Sequence, residues 1–304
     1  MDNSTGKNNS LNFDTSSYIL VTIYSITLLG GIIGIFFMTI FLKNSQNKLS
    51  ITTISIINLV LVHGSFLFSV PLIMEYYATG SWKHPFILCK LVSISLHTHL
   101  YLSFFFYVAI LVVRFLLFFG RKPRDFYRPL YAFIASAVVW IVIFVSLFPP
   151  LLVEYGKHQN YNKTKCFQFQ AEFKRGFVIV FNMVIVAAFI LVSLLLVLVQ
   201  IFILTKVIIS NKTNLRSRQE FRAQLKNLSF IMILIICFLP YHIFRIHYVN
   251  KIAVNPTDTG LSQKNDIYLS ITTLCCLDLL TLLARGYLWL IPSIVDQFKC
   301  ISSH

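Results

Sequence analysis

The sequence predicts an all-α membrane protein built as a seven-transmembrane helix bundle. Charged residues make up 12% of its 304 residues, and mean hydropathy is +0.74. Folded domains in water carry about 25% charged residues, so this chain is too poor in charge to cover a water-facing surface. Crossing about 30 Å of hydrocarbon at 1.5 Å per residue takes about 20 apolar residues. Stretches free of Asp, Glu, Lys and Arg run over 18–42, 49–74, 91–113, 129–153, 176–205 and 227–244. A seventh, 267–284, is interrupted only by Asp278. All are continuously apolar rather than alternating, which argues against a transmembrane barrel.

Taken in order, each stretch has its own marks. The first follows a mostly polar segment, 1–17, and is longer than the roughly 7–15 residues of a signal-peptide core, so it reads as a span. The second carries Asn58 and His63, and the third opens at Cys89 and ends on Arg114. The fourth holds Trp140 and the Pro149-Pro150 pair. The fifth, as a helix, is about 45 Å long, more than a bilayer core needs. The sixth contains Pro240, which removes a backbone hydrogen bond and kinks a helix. The seventh carries Asp278, a carboxylate that must face the bundle interior and find partners. The expected division is an extracellular segment 1–17, a bundle 18–290 and a short cytoplasmic tail 291–304.

Charge sets the expected orientation. With the N-terminus outside, 15 of the 26 Lys and Arg fall in the inner connections and 11 in the outer ones. That bias favours a multi-pass membrane protein with its N-terminus outside. Sequons at Asn3, Asn8 and Asn162 then lie outside as glycosylation candidates, and those at Asn211 and Asn227 lie inside. The basic inner face suits anionic membrane lipids or an acidic cytosolic partner. Nucleic acid is not an expected partner, because no domain in water presents a groove. A net positive outer face would draw anions to the mouth of the bundle, although loop charge also serves solubility alone.

Of the six cysteines, Cys89 and Cys166 face the oxidising side, where disulfides persist. A bridge between them would pin the outer loop over the bundle mouth. Cys300 is a palmitoylation candidate or a plain thiol. No Cys/His spacing resembles a zinc site, so neither metal nor cofactor is expected.

These landmarks together resemble the class A (rhodopsin-like) G-protein-coupled receptors. Trp82 precedes Cys89 as in the family's first outer loop, and Val113-Arg114-Phe115 stands where the family has Asp-Arg-Tyr. The Asn58 to His63 run resembles the second-helix Asn-Leu-Ala-x-x-Asp. Cys237-Phe-Leu-Pro240-Tyr241-His242 is similar to the sixth-helix Cys-Trp-x-Pro-Tyr. Cys276-Leu-Asp278-Leu-Leu-Thr-Leu282 stands where the seventh has Asn/Asp-Pro-x-x-Tyr. The resemblance implies an extracellular ligand, heterotrimeric G proteins as partners, Arg114 at the G-protein interface, and no enzymatic activity. The departures lie in the activation switch. His63 replaces an Asp, Val113 and Phe115 flank Arg114, and Leu279 and Leu282 replace Pro and Tyr. With no acid at 113, raised basal activity is expected if the receptor couples. The runner-up function is a seven-helix binding or partner-regulating protein that does not couple to G protein.

Two residue sets stand out within that frame. His242, Arg245 and Tyr248 are spaced by three and lie near one another on a helix. With Lys264 they resemble the purinergic and lipid-receptor branch, which implies an anionic ligand such as a nucleotide or a lipid. Arg245 and Lys264 at span ends can equally snorkel to the interface. The fold resemblance also places His63, Ser103 and Asp278 near a common centre, where many relatives bind sodium between two acids, and His99 lies a turn from Ser103. A His63–Asp278 hydrogen bond in place of the ion, pH-responsive through His63, is one reading. A satisfied buried pair without signalling consequence is the other. The histidines, Asp278 and the scattered serines form no nucleophile or metal spacing that would suggest an enzyme.

Overall fold

A peptide group inside hydrocarbon has only the chain itself to bond to, and every described membrane-length segment is accordingly helical. The computed structural model describes residues 5–44, 50–120, 129–149, 151–152, 164–167, 176–210, 224, 227–255 and 258–280. No strand occurs among them. Six helices are long and apolar enough to cross a membrane: Thr15–Lys43, Ile51–Thr79, Phe86–Phe118, Leu130–Pro149, Gly176–Ile209 and Asn227–Val254. A further helix completes the bundle. The side chains of Asn3 and Asn8, and the residues Asn162 and Cys300 with the tail 291–304, lie outside the described set.

Helix α1 spans Thr5–Asn44. Helix α2, Ile51–Leu67, starts at Ser50, whose hydroxyl accepts the Thr53 amide at 3.1 Å. The second span is broken rather than continuous. Pro71 has no N–H for the Leu67 carbonyl, so α2 stops at Leu67 and α3 resumes over Val70–Thr79. Gly80, in the left-handed region at φ 67°, ends α3. Helix α4, Phe86–Phe118, outruns the charge-free stretch at both ends. It carries Lys90 and Arg114 into the bundle, Lys90 bonding the Leu152 carbonyl at 2.7 Å.

Helix α5 runs Pro129–Pro149 and α6 runs Gly176–Ser210. The sixth span has two parts. A π-helical segment, Leu234–Phe238, leads into α7, Leu239–Val254, with Pro240 at its start. The wider turn absorbs the carbonyl that proline leaves without a donor. Helix α8, Thr259–Thr273, begins well before the apolar stretch at 267, because Asp258 caps it by accepting the Leu261 amide at 2.9 Å. A 3₁₀ segment, Leu274–Leu277, then tightens the chain before Asp278.

Helix α4 is the axis. Leu100, Leu102, Tyr107, Ile110 and Leu111 have no exposed surface, whereas α5 shows Ile141, Val142 and Val145 on its outside. A belt of such apolar side chains, including Leu29, Phe36 and Leu198, is the surface a lipid-facing bundle requires. Polar links fasten the bundle within. Asn58 on α2 donates to Ser136 Oγ at 3.1 Å and accepts from Trp140 Nε1 at 2.9 Å, both on α5.

Helix α1 meets the seventh helix through glycines four apart. A Cβ on Gly30 would collide with Leu277 Cδ2, and one on Gly34 would stand 3.1 Å from Leu279 Cβ. Small residues at this spacing let two membrane helices approach closely. Leu279 Cβ is tied to its backbone and yields little, so Gly34→Val should cost about 1–3 kcal/mol, the range typical of overpacking. A thermal melt of the detergent-purified variant, with surface expression alongside, checks this.

Candidate ligand site and buried polar core

At one end of the bundle, α4 opens with Cys89, which is disulfide-bonded to Cys166. This disulfide end carries a short strap, residues 164–167. The Trp82 amide bonds the Thr164 carbonyl at 2.7 Å, and Tyr76 Oη donates to the Cys166 carbonyl at 3.1 Å. Phe167 adopts φ 60°, a conformation costly for an aromatic residue, and its ring packs on Tyr76 and Tyr77. The disulfide and the ring stack hold that backbone in place. Tyr77 in turn donates to Asp266 Oδ2 on α8 at 3.1 Å.

Near the same end lies the basic set. The guanidinium of Arg245, 9% exposed, donates from Nη1 to Asn265 Oδ1 at 2.8 Å and from Nη2 to Asn182 Oδ1 at 3.3 Å. Its plane lies 4.9 Å from the Tyr248 ring and 5.9 Å from Tyr241. One turn earlier, His242 is 2% exposed and packs 4.3 Å from Phe189. Neither of its ring nitrogens has a hydrogen-bond partner among the described residues. His242, Arg245 and Tyr248 therefore share the buried side of α7. Lys264 is exposed, and the α8 residue that meets Arg245 is its neighbour Asn265. Asn182 and Asn265 carry no sequence mark that would have singled them out.

Midway down the bundle lies the polar core. His63 Nε2 stands 3.6 Å from Asp278 Oδ1, too long for a hydrogen bond. The hydrogen bond to Asp278 comes instead from Tyr107 Oη, which also reaches the Cys275 carbonyl. The other ring nitrogen of His63, Nδ1, meets His99 Nε2 at 3.0 Å. Ser103 is fully buried, but its hydroxyl has no hydrogen-bond partner among the described residues, so it does not join His63 and Asp278. Tyr107 was findable: it continues the face of α4 that carries His99 and Ser103 at intervals of four.

At the opposite end, Arg114 is half-buried. Its Nη1 donates to Asn227 Oδ1 at 2.8 Å, and its guanidinium lies 4.9 Å from the Phe230 ring. Asn227 Nδ2 donates to Gln224 Oε1 at 3.0 Å, which also accepts from Gln200 Nε2 at 3.3 Å. A chain of neutral amides thus joins α4, α6 and the sixth span. A restraint absent at position 113 is supplied from another helix.

Residues 34–279 match the family described as 7 transmembrane receptor (rhodopsin family), and the chain belongs to that family. The family's members are receptors rather than enzymes. The chain is 38% identical over 284 residues to probable G-protein coupled receptor 141 of Homo sapiens, covering 93% of each chain. It is also similar to succinate receptor 1 of Rattus norvegicus, at 28% over 138 residues, 44% of this chain and 43% of that one. It is 24% identical over 231 residues to 2-oxoglutarate receptor 1 of Rattus norvegicus, 75% of this chain and 67% of the other.

The core geometry separates two substitutions of similar size. Tyr107→Phe deletes the donor to a buried carboxyl group and should cost about 1–3 kcal/mol. Ser103→Ala removes a hydroxyl with no partner among the described residues and should stay within about 0.5 kcal/mol of wild type or gain stability. Paired thermal melts in detergent decide between them, and equal destabilisation would refute the assignment.

Proposed function

We propose that this receptor recognises a small anion at the disulfide end and passes the signal to a heterotrimeric G protein at the Arg114 end. The disulfide end is then extracellular and the Arg114 end cytoplasmic, in a multi-pass plasma-membrane protein. The observation that carries the reading is His242. A buried imidazole whose two nitrogens find no partner among the described residues is a place for a ligand atom to bond. Arg245, one turn away, is the group that selects a carboxylate or phosphate through its planar fork. Two relatives are named for succinate and 2-oxoglutarate, both small dicarboxylates. Lys264, exposed nearby on α8, steers anions toward the mouth rather than clamping them.

The sixth span links the two ends. Its Arg245 end carries the ligand residues, its π segment and Pro240 form the flexible middle, and Asn227 holds Arg114 at the far end. An anion that draws α7 toward α6 and α8 biases the bundle against the Arg114–Asn227 bond, and freed Arg114 meets the G protein. The competing reading, ligand or partner binding without coupling, draws on Leu279 and Leu282 in the seventh helix.

Two experiments address the two ends. Thermal stabilisation of purified receptor should be scanned with succinate, 2-oxoglutarate and inorganic phosphate. Arg245→Ala should weaken the responding anion at least about tenfold, roughly 1.4 kcal/mol, with Arg245→Lys falling between because it keeps the charge and loses the fork. Arg245→Ala binding as well as wild type would remove the site. In cells, a panel of G-protein activation sensors should show a higher basal signal for Asn227→Ala and a lower one for Arg114→Ala, at matched surface levels. Flat signals from all three proteins, with anion binding intact, would favour the non-coupling reading.

A further inference from the structure

Three side chains from three different elements converge at the polar core with atoms of metal-binding type. His63 comes from α2, His99 from α4 and Cys276 from the 3₁₀ segment of the seventh helix. All three are buried. His63 Nδ1 and His99 Nε2 are 3.0 Å apart, Cys276 Sγ is 3.5 Å from the first and 3.3 Å from the second. We propose that His63, His99 and Cys276 form an intramembrane His₂Cys site for a d¹⁰ metal ion, foremost Zn²⁺, that staples the three helices together.

The dimensions support this. A triangle with those edges has corners about 1.9 Å from its centre, and zinc takes nitrogen at about 2.0–2.1 Å and sulfur at about 2.3 Å. An ion slightly above the plane meets all three donors without moving the helices. The donor chemistry selects the class of ion. Imidazole and thiolate suit Zn²⁺ or Cu⁺, whereas Na⁺, Mg²⁺ and Ca²⁺ seek oxygen.

The surroundings are those of a ligand set. His63 turns its other nitrogen, Nε2, toward Asp278, and from 3.6 Å a small approach on binding would close the carboxylate–histidine hydrogen bond that leaves Nδ1 for the metal. Tyr107 holds Asp278 from the far side. His99 is oriented by stacking on Phe66, with ring centres 4.3 Å apart. Cys275 Sγ, 3.8 Å from His99 Nε2, is a second thiol close to the set. On binding, the metal–sulfur bond forms as the Cys276 S–H bond breaks, and its proton passes to solvent. The thiolate and the Asp278 carboxylate offset the two charges of Zn²⁺, which an apolar interior demands. This inference does not depend on the anion site or on coupling.

The test uses the full chain purified in detergent, stripped with EDTA and reloaded with Zn²⁺, Co²⁺ or Cu⁺. Wild type should hold about one metal per chain by elemental mass spectrometry and melt several degrees higher with metal. Its Co²⁺ form should show a thiolate charge-transfer band. Cys276→Ser and His99→Gln should each lose the band and most of the metal, while Cys237→Ser, a buried thiol outside the set, keeps both. Preference for Cu⁺ over Zn²⁺ would support the site and reassign its ion. Metal content unchanged in both ligand variants would mean exposed histidines were responsible and would overturn the proposal. Absence of a cobalt–thiolate band in folded wild type would overturn it without recourse to any variant.

Discussion

A polar group placed among hydrocarbon chains must find its partner inside the protein, and that requirement organises this molecule at every scale. It makes each long segment helical. It draws the side-chain polar groups toward the axis helix α4, whose His99, Ser103 and Tyr107 form one internal stripe. It also explains why Lys90 reaches a backbone carbonyl and why Arg114 and Arg245 lean on asparagine oxygens and aromatic faces. Van der Waals contact then brings the helices close, most tightly where Gly30 and Gly34 admit the leucines of the seventh helix.

Much of this was legible in the residues because it depends on composition along the chain. Seven apolar stretches, one proline in the sixth and a cysteine near the start of the third and in the loop after the fourth lead to the bundle, the interruption of its sixth span and its disulfide. Boundaries were less legible. The charge-free criterion cut the third and seventh spans short, because Lys90 and Arg114 find partners inside and Asp258 caps a helix that starts among polar residues. The break at Leu67–Val70 follows from Pro71, which a hydropathy count does not see.

The site divides in the same way. His242, Arg245 and Tyr248 share one helix, so spacing by three was enough to group them. The partners of Arg245, Asn182 and Asn265, come from other helices, and only the folded chain brings them near. The His63–His99–Cys276 convergence is the extreme case, since its members stand far apart in sequence and resemble no motif. Lys264 shows the opposite limit. Its position suited the cluster, but consecutive helix residues point about 100° apart, and the inward place belongs to Asn265.

The strap at residues 164–167 bears on time as well as shape. It is fixed at Cys166 by a covalent bond, at Thr164 by the Trp82 amide and at Phe167 by two tyrosine rings, one of which is bonded to the α8 residue beside Asn265. An anion held at the proposed Arg245 site and leaving through the disulfide end would have to pass this strap. Its residence time would then depend on how often Phe167 lifts from Tyr76 and Tyr77, while its affinity would depend on Arg245. Loosening the strap would then shorten the dwell of an occupant.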